Sequence, residues 1–363
     1  MNIAIISDWL TTYAGAERCI ESFNKLYKAD NYSLVEFLSN EDKQTILNNN
    51  PIKTTFIQNL PFSKKLFRNY LPLFPYAIEN INVTKYDVIL SSSHAVAKNV
   101  LTHSNQIHIC YCHTPIRYGW DMYFDYIGEL KGIKKIFFMY VMHKIRMWDY
   151  ASSNRVDYFI ANSKFIQKRI KKIYNKNSTV IYPPIDTDKF EFCDKKEEYY
   201  ITMSRLVPYK RVDLIIKAFN KNKKNLIVIG DGDEFEKLKS IAHSNIQMLG
   251  FVEDKKAIEF IQKAKGFVFA ALEDFGITPL EAQACGTPVI ALNKGGTAES
   301  VIDGITGIHF ENQTIESIND AINKFENTNF DYYKIRKHSL QFDRKVFEKK
   351  IYNYIKEVYE RGI

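Results

Sequence analysis

The sequence predicts an α/β protein built as two doubly wound, Rossmann-like halves, and three observations carry that expectation. The chain opens on an apolar run, Ile3–Ser7, followed by a glycine turn and a helical stretch, Ala16–Leu26, which is how a Rossmann-like unit begins. A second alternation of strand and helix starts at Tyr200. Between the two, "VIYPPID" (180–186) carries a double proline that neither a helix nor a central strand accommodates. The boundary therefore falls there. Residues 1–182 form a first domain, 183–341 a second, and 342–363 an amphipathic helix with Phe347, Ile351, Tyr354, Ile355 and Val358 as its apolar stripe.

At 363 residues, 45% hydrophobic and 25% charged, the chain has the size and composition of two globular domains. It starts directly as a strand, without a basic flank or cleavage site, which predicts no signal peptide. The lack of a run of about eighteen apolar residues predicts no spanning helix. Five scattered cysteines predict a reducing cytoplasm. Cys110 and Cys112, beside His108 and His113, fit no zinc spacing and read as core cysteines. Charge is uneven: 23 Lys+Arg against 14 Asp+Glu in residues 1–182, and 27 against 28 in 183–363. A basic first half fits nucleic acid, an anionic membrane surface or a phosphorylated acceptor.

In the first half, further strands are expected at Leu34–Leu38 and Val88–Leu90. Gly15 stands alone where a dinucleotide fingerprint wants three spaced glycines, so a dehydrogenase is poorly supported, although Gly15 still permits close approach of a diphosphate. "IHICYCHTP" (107–115) alternates Ile107, Ile109 and Tyr111 against His108, Cys110 and Cys112. It places His113 just past a strand end, where open α/β sheets put ligands. Arg117, Tyr118, Trp120 and Asp121 follow in a loop. Ile133–Tyr150 mixes Lys and Arg with large apolar residues at helical spacing, which fits both a core-facing helix and one lying on a membrane. Residues 156–170 read as strand, turn and a helix capped by Asn162 or Ser163.

The second half begins with a strand at Tyr200–Ser204, a loop bearing Arg205 and Lys210, and a helix at Val212–Asn220. Two cations beside a helix start suit a diphosphate leaving group. After the strand Leu226–Ile229, Asp231-Gly-Asp233 reads as a turn capping the helix Phe235–Ala242 rather than as a metal site. A strand at 246–252, a helix at Lys255–Lys263 and a strand at Gly266–Ala270 lead into "ALEDFGITPLEAQACGTPVIALNKGGTAESV" (271–301). There Thr278 reads as an N-cap, Pro279 as the first helical residue and Glu281 as the partner in a capping box. The helix should stop before Gly286. A strand, Val289–Leu292, and a Gly295-Gly296 turn follow, with Thr297 able to cap another short helix.

This stretch, with Glu273 and Glu281 at its heart, resembles the glutamate-pair signature of the family 4 retaining glycosyltransferases. Their fold is GT-B, two Rossmann-like domains facing across a cleft with a C-terminal helix crossing back to the first. "SRLVPYKR" is similar to the family's basic loop, "VIYPPID" to its interdomain linker, and "GAER" to its N-terminal glycine turn, from whose two-glycine form Ala14 departs. "YCHTPIRYGWDMYFDY" resembles the branch that contains bacterial O-antigen and capsule mannosyltransferases using GDP-mannose.

The resemblance implies retaining transfer of a hexose, mannose from GDP-mannose, to a saccharide or lipid-linked saccharide in surface polysaccharide synthesis. Arg205 and Lys210 would stabilise the departing phosphate; Phe275, Gly276, Ile277 and Thr278 would hold sugar and phosphate. Glu273 would bind sugar hydroxyls, Glu281 the ribose, Val252 the base, and Gly15 the diphosphate. His113 would lie near the reacting carbon, and Arg117, Tyr118, Trp120 and Asp121 would face the acceptor. A double displacement would need a carboxylate against the anomeric carbon; the resemblance favours front-face attack, with the leaving phosphate accepting the acceptor proton. It implies no metal and no cofactor beyond the nucleotide-sugar co-substrate, and a cytoplasmic protein that meets the membrane peripherally and binds no nucleic acid. Alternatives are a UDP-sugar transferase, a sugar-nucleotide epimerase or hydrolase, and a basic nucleic-acid-binding protein.

Overall fold

Seven short parallel strands form the first sheet of the computed structural model, which describes residues 1–128 and 130–361. They are β1 (Ile3–Ser7), β2 (Ala29–Ser33), β3 (Ile52–Thr54), β4 (Val88–Ser93), β5 (Ile107–Cys112), β6 (Tyr158–Ala161) and β7 (Ser178–Val180), in the order β3-β2-β1-β4-β5-β6-β7. Helices cover both faces of such a sheet, so its central strands are buried throughout. Every residue of β1 and β4 is buried. The alternation expected along β5 has no counterpart in burial: Cys110 and Cys112 are as enclosed as Ile109 and Tyr111.

Two expectations are corrected here. The strand foreseen at Leu34–Leu38 lies five residues earlier, as β2. Its sequence, "ADNYS", is polar, yet Asn31 is satisfied by mutual amide bonds with Asn24 at 2.8 and 3.0 Å. The apolar Leu34 and Val35 follow the strand and pack into the core. The strand foreseen at Val88–Leu90 runs on through Ser91, Ser92 and Ser93, whose small side chains fit a fully buried strand end.

The second sheet is also all parallel: β8 (Glu197–Met203), β9 (Leu226–Ile229), β10 (Ile246–Gly250), β11 (Ala264–Phe269), β12 (Val289–Leu292) and β13 (Gly307–Phe310), in the order β10-β9-β8-β11-β12-β13. The chain divides into two compact units, Met1–Pro183 with the stretch from Phe347 onward, and Pro184–Val346. Each sheet reverses its winding once, between β1 and β4 in the first unit and between β8 and β11 in the second. At such a reversal the loops leaving neighbouring strands splay apart and leave a crevice at the carboxyl ends.

The C-terminal helix, Arg344–Arg361, belongs to the first unit by packing. Phe347, Ile351, Ile355 and Val358 are buried among Ile5, Phe23, Leu90 and Tyr111. The Phe347 ring lies 6.0 Å from Phe23 and 5.6 Å from Tyr111. Where the helix begins, Ile185 N–H donates to the Phe342 carbonyl and Arg344 N–H to the Ile185 carbonyl, both at 3.0 Å.

The helix Gly132–Ser152 has two different faces. Met142, Ile145 and Asp149 are buried toward the first unit's core. The opposite side carries Ile133 (82% exposed), Ile136, Phe137 (62%), Tyr140 and Met147 as a stripe at helical spacing, among exposed Lys134, Lys135 and Lys144.

Candidate active site

The crevice of the second unit is framed by the loops that leave β8 and β11. After β8, residues 204–210 end in a single 3-10 turn, Pro208–Lys210. The turn after β9 lies directly against this loop, and Leu206 N–H donates to the Asp231 carbonyl at 2.8 Å. A β-carbon on Gly230 would stand 1.8 Å from the Ser204 carbonyl oxygen, so only glycine allows the approach. Asp231 caps its own turn, accepting the Gly232 N–H at 2.7 Å. The loop braced in this way carries Arg205 exposed at one end and Lys210 half-buried at the other.

Lys210 Nζ lies 2.6 Å from Glu273 Oε1, and the ammonium sits 5.6 Å from the centre of the Phe269 ring. The pair spans the β8/β11 reversal. Glu273 is held from behind by the Gly295-Gly296 turn: Gly296 N–H donates to the Glu273 carbonyl at 2.9 Å. A β-carbon on Gly296 would come within 2.0 Å of the Phe275 backbone. Phe275 is buried, and Gly276, Ile277 and Thr278 continue from it into the helix Ile277–Ala284. The first-turn N–H groups of that helix have no partner within it.

The expected capping box is not formed. Gly276, at φ +82°, is the N-cap, and no side chain caps the helix. The left-handed glycine turns the chain into the helix early, so Thr278 and Pro279 fall inside the first turn and Glu281 lies too far along to fold back on it. Glu281 is buried. Thr297 caps nothing either: its hydroxyl donates to the Leu292 carbonyl at 2.7 Å, and Gly296 is the N-cap of Thr297–Ser300. Val252 is half-buried in the turn that follows β10. Thus Lys210, Glu273 and the segment Phe275–Thr278 come together, Arg205 shares the Lys210 loop, and Val252 stands at the end of a strand two places from β8.

In the first unit, Gly15 begins the helix Gly15–Leu26, and the Glu17 carboxylate accepts the Ala14 N–H at 3.2 Å. Burial pushes the Glu17 carboxyl up to about 7. His113 follows β5, with Nε2 2.8 Å from Ser92 Oγ. Burial, helped by His94, lowers it to about 3, so the imidazole is neutral and suited to hydrogen bonding rather than proton donation. Trp120 Nε1 donates to Asp149 Oδ2 at 2.9 Å, and Asp121 pairs with Arg169. Trp120 and Asp121 also line an open pocket of about 440 Å³ with Tyr123, Phe124 and Arg146. The Tyr118 ring lies 6.1 Å from Tyr126, and the Arg117 carbonyl accepts the Trp120 and Met122 N–H groups.

Sequence reasoning passed over two buried clusters. Lys98 and Asp149, both fully buried, pair at 2.6 Å, and Asp149 also accepts from Tyr174 at 2.7 Å. Asp8, directly after β1, accepts four consecutive backbone N–H groups, those of His94, Ala95, Val96 and Ala97, at 2.5–2.9 Å. The strand-end rule that singled out His113 applies equally to Asp8 and His94. Ending β4 at Leu90 hid it.

The first unit and the second match different parts of one enzyme class. Residues 185–342 match the model for glycosyl transferases group 1, and 13–189 that for glycosyltransferase family 4. An uncharacterized glycosyltransferase of Methanocaldococcus jannaschii is 30% identical over 227 residues, 56% of this chain and 55% of its own length. The GDP-mannose-dependent alpha-(1-6)-phosphatidylinositol monomannoside mannosyltransferase of Mycolicibacterium smegmatis is 27% identical over 202 residues, 47% of this chain and 53% of its own. The chain thus spans about half the length of these curated relatives. Among solved structures, Anabaena HepE in complex with UDP superposes with a TM-score of 0.71 at 18% identity, covering 98% of this chain and all of that one. The fold is that of a GT-B glycosyltransferase. The chain belongs to glycosyltransferase family 4.

The Glu17 environment has a measurable consequence. Its folded pKa lies above the ordinary value of 4.5, so the folded state resists ionisation and loses stability as pH rises from about 4.5 through about 7. Glu17→Gln keeps an acceptor for the Ala14 N–H and removes the charge. Thermal denaturation should show the variant more stable than wild type at pH 8, by on the order of 2–3 kcal/mol, and little changed at pH 4.5. An equal effect at both pH values would contradict the assignment.

Proposed function

We propose that the protein transfers a hexose from a nucleoside diphosphate sugar to a saccharide or lipid-linked saccharide during surface polysaccharide synthesis, with retention of anomeric configuration. The observation that carries this reading is the Lys210–Glu273 pair across the β8/β11 reversal, with Arg205 on the same loop as Lys210 and a helix start on the same loop as Glu273. A departing diphosphate gains negative charge as the glycosidic bond breaks. Lys210, Arg205 and the N–H groups of Gly276–Thr278 are fixed donors for that charge. Glu273 meets sugar hydroxyls once the diphosphate engages Lys210, Glu281 serves the ribose, and the backbone at Val252 meets the base. Gly15 gives the diphosphate room, and neutral His113 offers a hydrogen bond beside the reacting carbon. Arg117, Tyr118, Trp120 and Asp121 serve the acceptor. The leaving phosphate takes the acceptor proton, so the cationic loop supplies the charge a metal would otherwise provide.

Mannose from GDP-mannose is the donor we favour, supported by the similarity to the GDP-mannose-dependent relative. A UDP-sugar is the second reading, since structural neighbours hold UDP and UDP-glucose. Peripheral contact with an anionic membrane is supported by the outward stripe of the helix Gly132–Ser152, where large apolar side chains alternate with lysines as on an interfacial helix. Among the described residues no helix is long and apolar enough to cross a membrane.

Arg205→Ala and Lys210→Ala should each lower turnover of the nucleotide sugar by about two to three powers of ten, with circular dichroism unchanged. Full activity in both variants would remove the phosphate assignment. Turnover should persist in excess EDTA, whereas loss restored by Mn²⁺ would return Asp231 and Asp233 to consideration. Sedimentation with vesicles gives the membrane test. The protein should bind phosphatidylcholine vesicles containing phosphatidylglycerol in preference to neutral ones, and the double variants Ile136→Ser/Phe137→Ser and Lys134→Glu/Lys135→Glu should each weaken binding severalfold. Indifference to both lipid charge and the substitutions would contradict it.

A further inference from the structure

The open pocket beside the loop 119–121 holds two cations that the reading above leaves unused. Its volume is about 440 Å³ and its apolar walls are Trp120, Tyr123, Phe124 and Ile173, while Arg146 and Lys172 line it from two different helices. Arg146 comes from Gly132–Ser152, and Lys172 from Lys164–Tyr174, the helix that follows β6. Neither has a carboxylate partner among the described residues. Asp121 also lines the pocket, but Arg169 pairs with it. The lining therefore carries net positive charge.

The walls and one of the cations are held in place. Arg146 Nη1 donates to the Gly119 carbonyl at 3.1 Å, and the guanidinium stands 4.6 Å from the centre of the Tyr123 ring. Among the described residues that is its one hydrogen bond, from a fork of five N–H donors. Tyr123 in turn stacks on Phe138 at 6.4 Å. The Trp120 indole is fixed by its 2.9 Å bond to Asp149, which the buried Lys98 and Tyr174 hold from the other side. A half-buried arginine anchored in this way suits one specific phosphate, which its fork can meet with two parallel bonds. The fluid charge of a bilayer surface is matched instead by the exposed lysines farther along the same helix.

Apolar walls around two cations call for a ligand with both characters. Phe124 lines the pocket yet is 80% exposed, and the outward stripe Ile133, Ile136, Phe137 and Tyr140 lies on the helix that supplies Arg146. A phosphate on an aliphatic tail satisfies this setting: the head meets Arg146 and Lys172, and the first carbons of the tail cover the aromatic wall. The loop that walls the pocket is the one leaving β5 through His113, so the pocket is joined by a short connection to the crevice end of the sheet.

We propose that this pocket binds the phosphate of a lipid-linked acceptor, with Arg146 and Lys172 on the phosphate and Trp120, Tyr123 and Phe124 on the start of its tail. This rests on the transferase reading above. Arg146 and Lys172 take no part in bond exchange; they anchor the acceptor at its lipid end.

Calorimetric titration of decyl phosphate, decyl maltoside and inorganic phosphate, each below any micellar concentration, tests the pocket without requiring turnover. Decyl phosphate should bind wild type at least tenfold more tightly than either of the other two. Arg146→Gln and Lys172→Glu should each weaken it fivefold or more, while the thermal shift given by GDP or UDP stays as in wild type. Arg146→Lys, which keeps the charge and loses the fork, should fall between wild type and Arg146→Gln. Equal affinity for decyl phosphate and decyl maltoside, or indifference to both Arg146→Gln and Lys172→Glu, would overturn the proposal. So would dihexanoyl phosphatidylglycerol binding as tightly as decyl phosphate with the same dependence on Arg146, which marks a site for bulk phospholipid. In transfer assays with GDP-mannose and UDP-glucose, decyl α-mannosyl phosphate should show a KM about tenfold below that of decyl α-mannoside, and Arg146→Gln should erase the difference. Equal KM values in wild type would overturn the assignment to the acceptor. If wild type consumes neither donor, the transferase reading fails separately, and the titrations alone decide what the pocket binds.

Discussion

A lysine and a glutamate that meet 63 residues apart in sequence hold the second unit's site together. Both side chains are largely screened from solvent, at 16% and 18% exposure, and they meet at 2.6 Å. Their meeting depends on three glycines. The β9 turn presses on the Arg205–Lys210 loop through Gly230, the β12 turn presses on Glu273–Phe275 through Gly296, and Gly276 bends the chain into its helix. A side chain at any of these glycines would move a charged group of the pair or the helix start beside it.

The first unit repeats the device with different chemistry. Asp8 and His94 bridge β1 and β4 much as Glu273 and Lys210 bridge β11 and β8. In each case a parallel sheet that reverses its winding opens a crevice, and an acid and a base from the two flanking strands close it. On the proposed reading, a diphosphate calls for fixed cations, and the second pair supplies one.

Much of the scaffold was legible because buried parallel strands are unbroken apolar runs: β1, β9 and β12 lie where the sequence places them. β2 was not legible, since the strand is polar and its Asn31 is satisfied by a side chain on the preceding helix, Asn24. The N-terminus of the helix after Glu273 misled in another way. Thr-Pro-Leu-Glu has the form of a capping box, but a glycine at positive φ does the capping. Lys210 and Glu273 were singled out by residue type and family resemblance, while their contact had no local signal. His94 was missed because three buried serines extend β4 beyond its apolar run.

The central claim is that Lys210 is the diphosphate's cation and that Glu273 is its partner only until the diphosphate engages it. Calorimetric titration of GDP and UDP into wild type, Lys210→Met and Glu273→Gln tests it most directly. Lys210→Met should weaken the preferred nucleotide at least tenfold, about 1.4 kcal/mol. Glu273→Gln, which frees the ammonium, should bind the same nucleotide as tightly as wild type or more so. Wild-type affinity in Lys210→Met, or a loss in Glu273→Gln equal to that in Lys210→Met, would contradict the account.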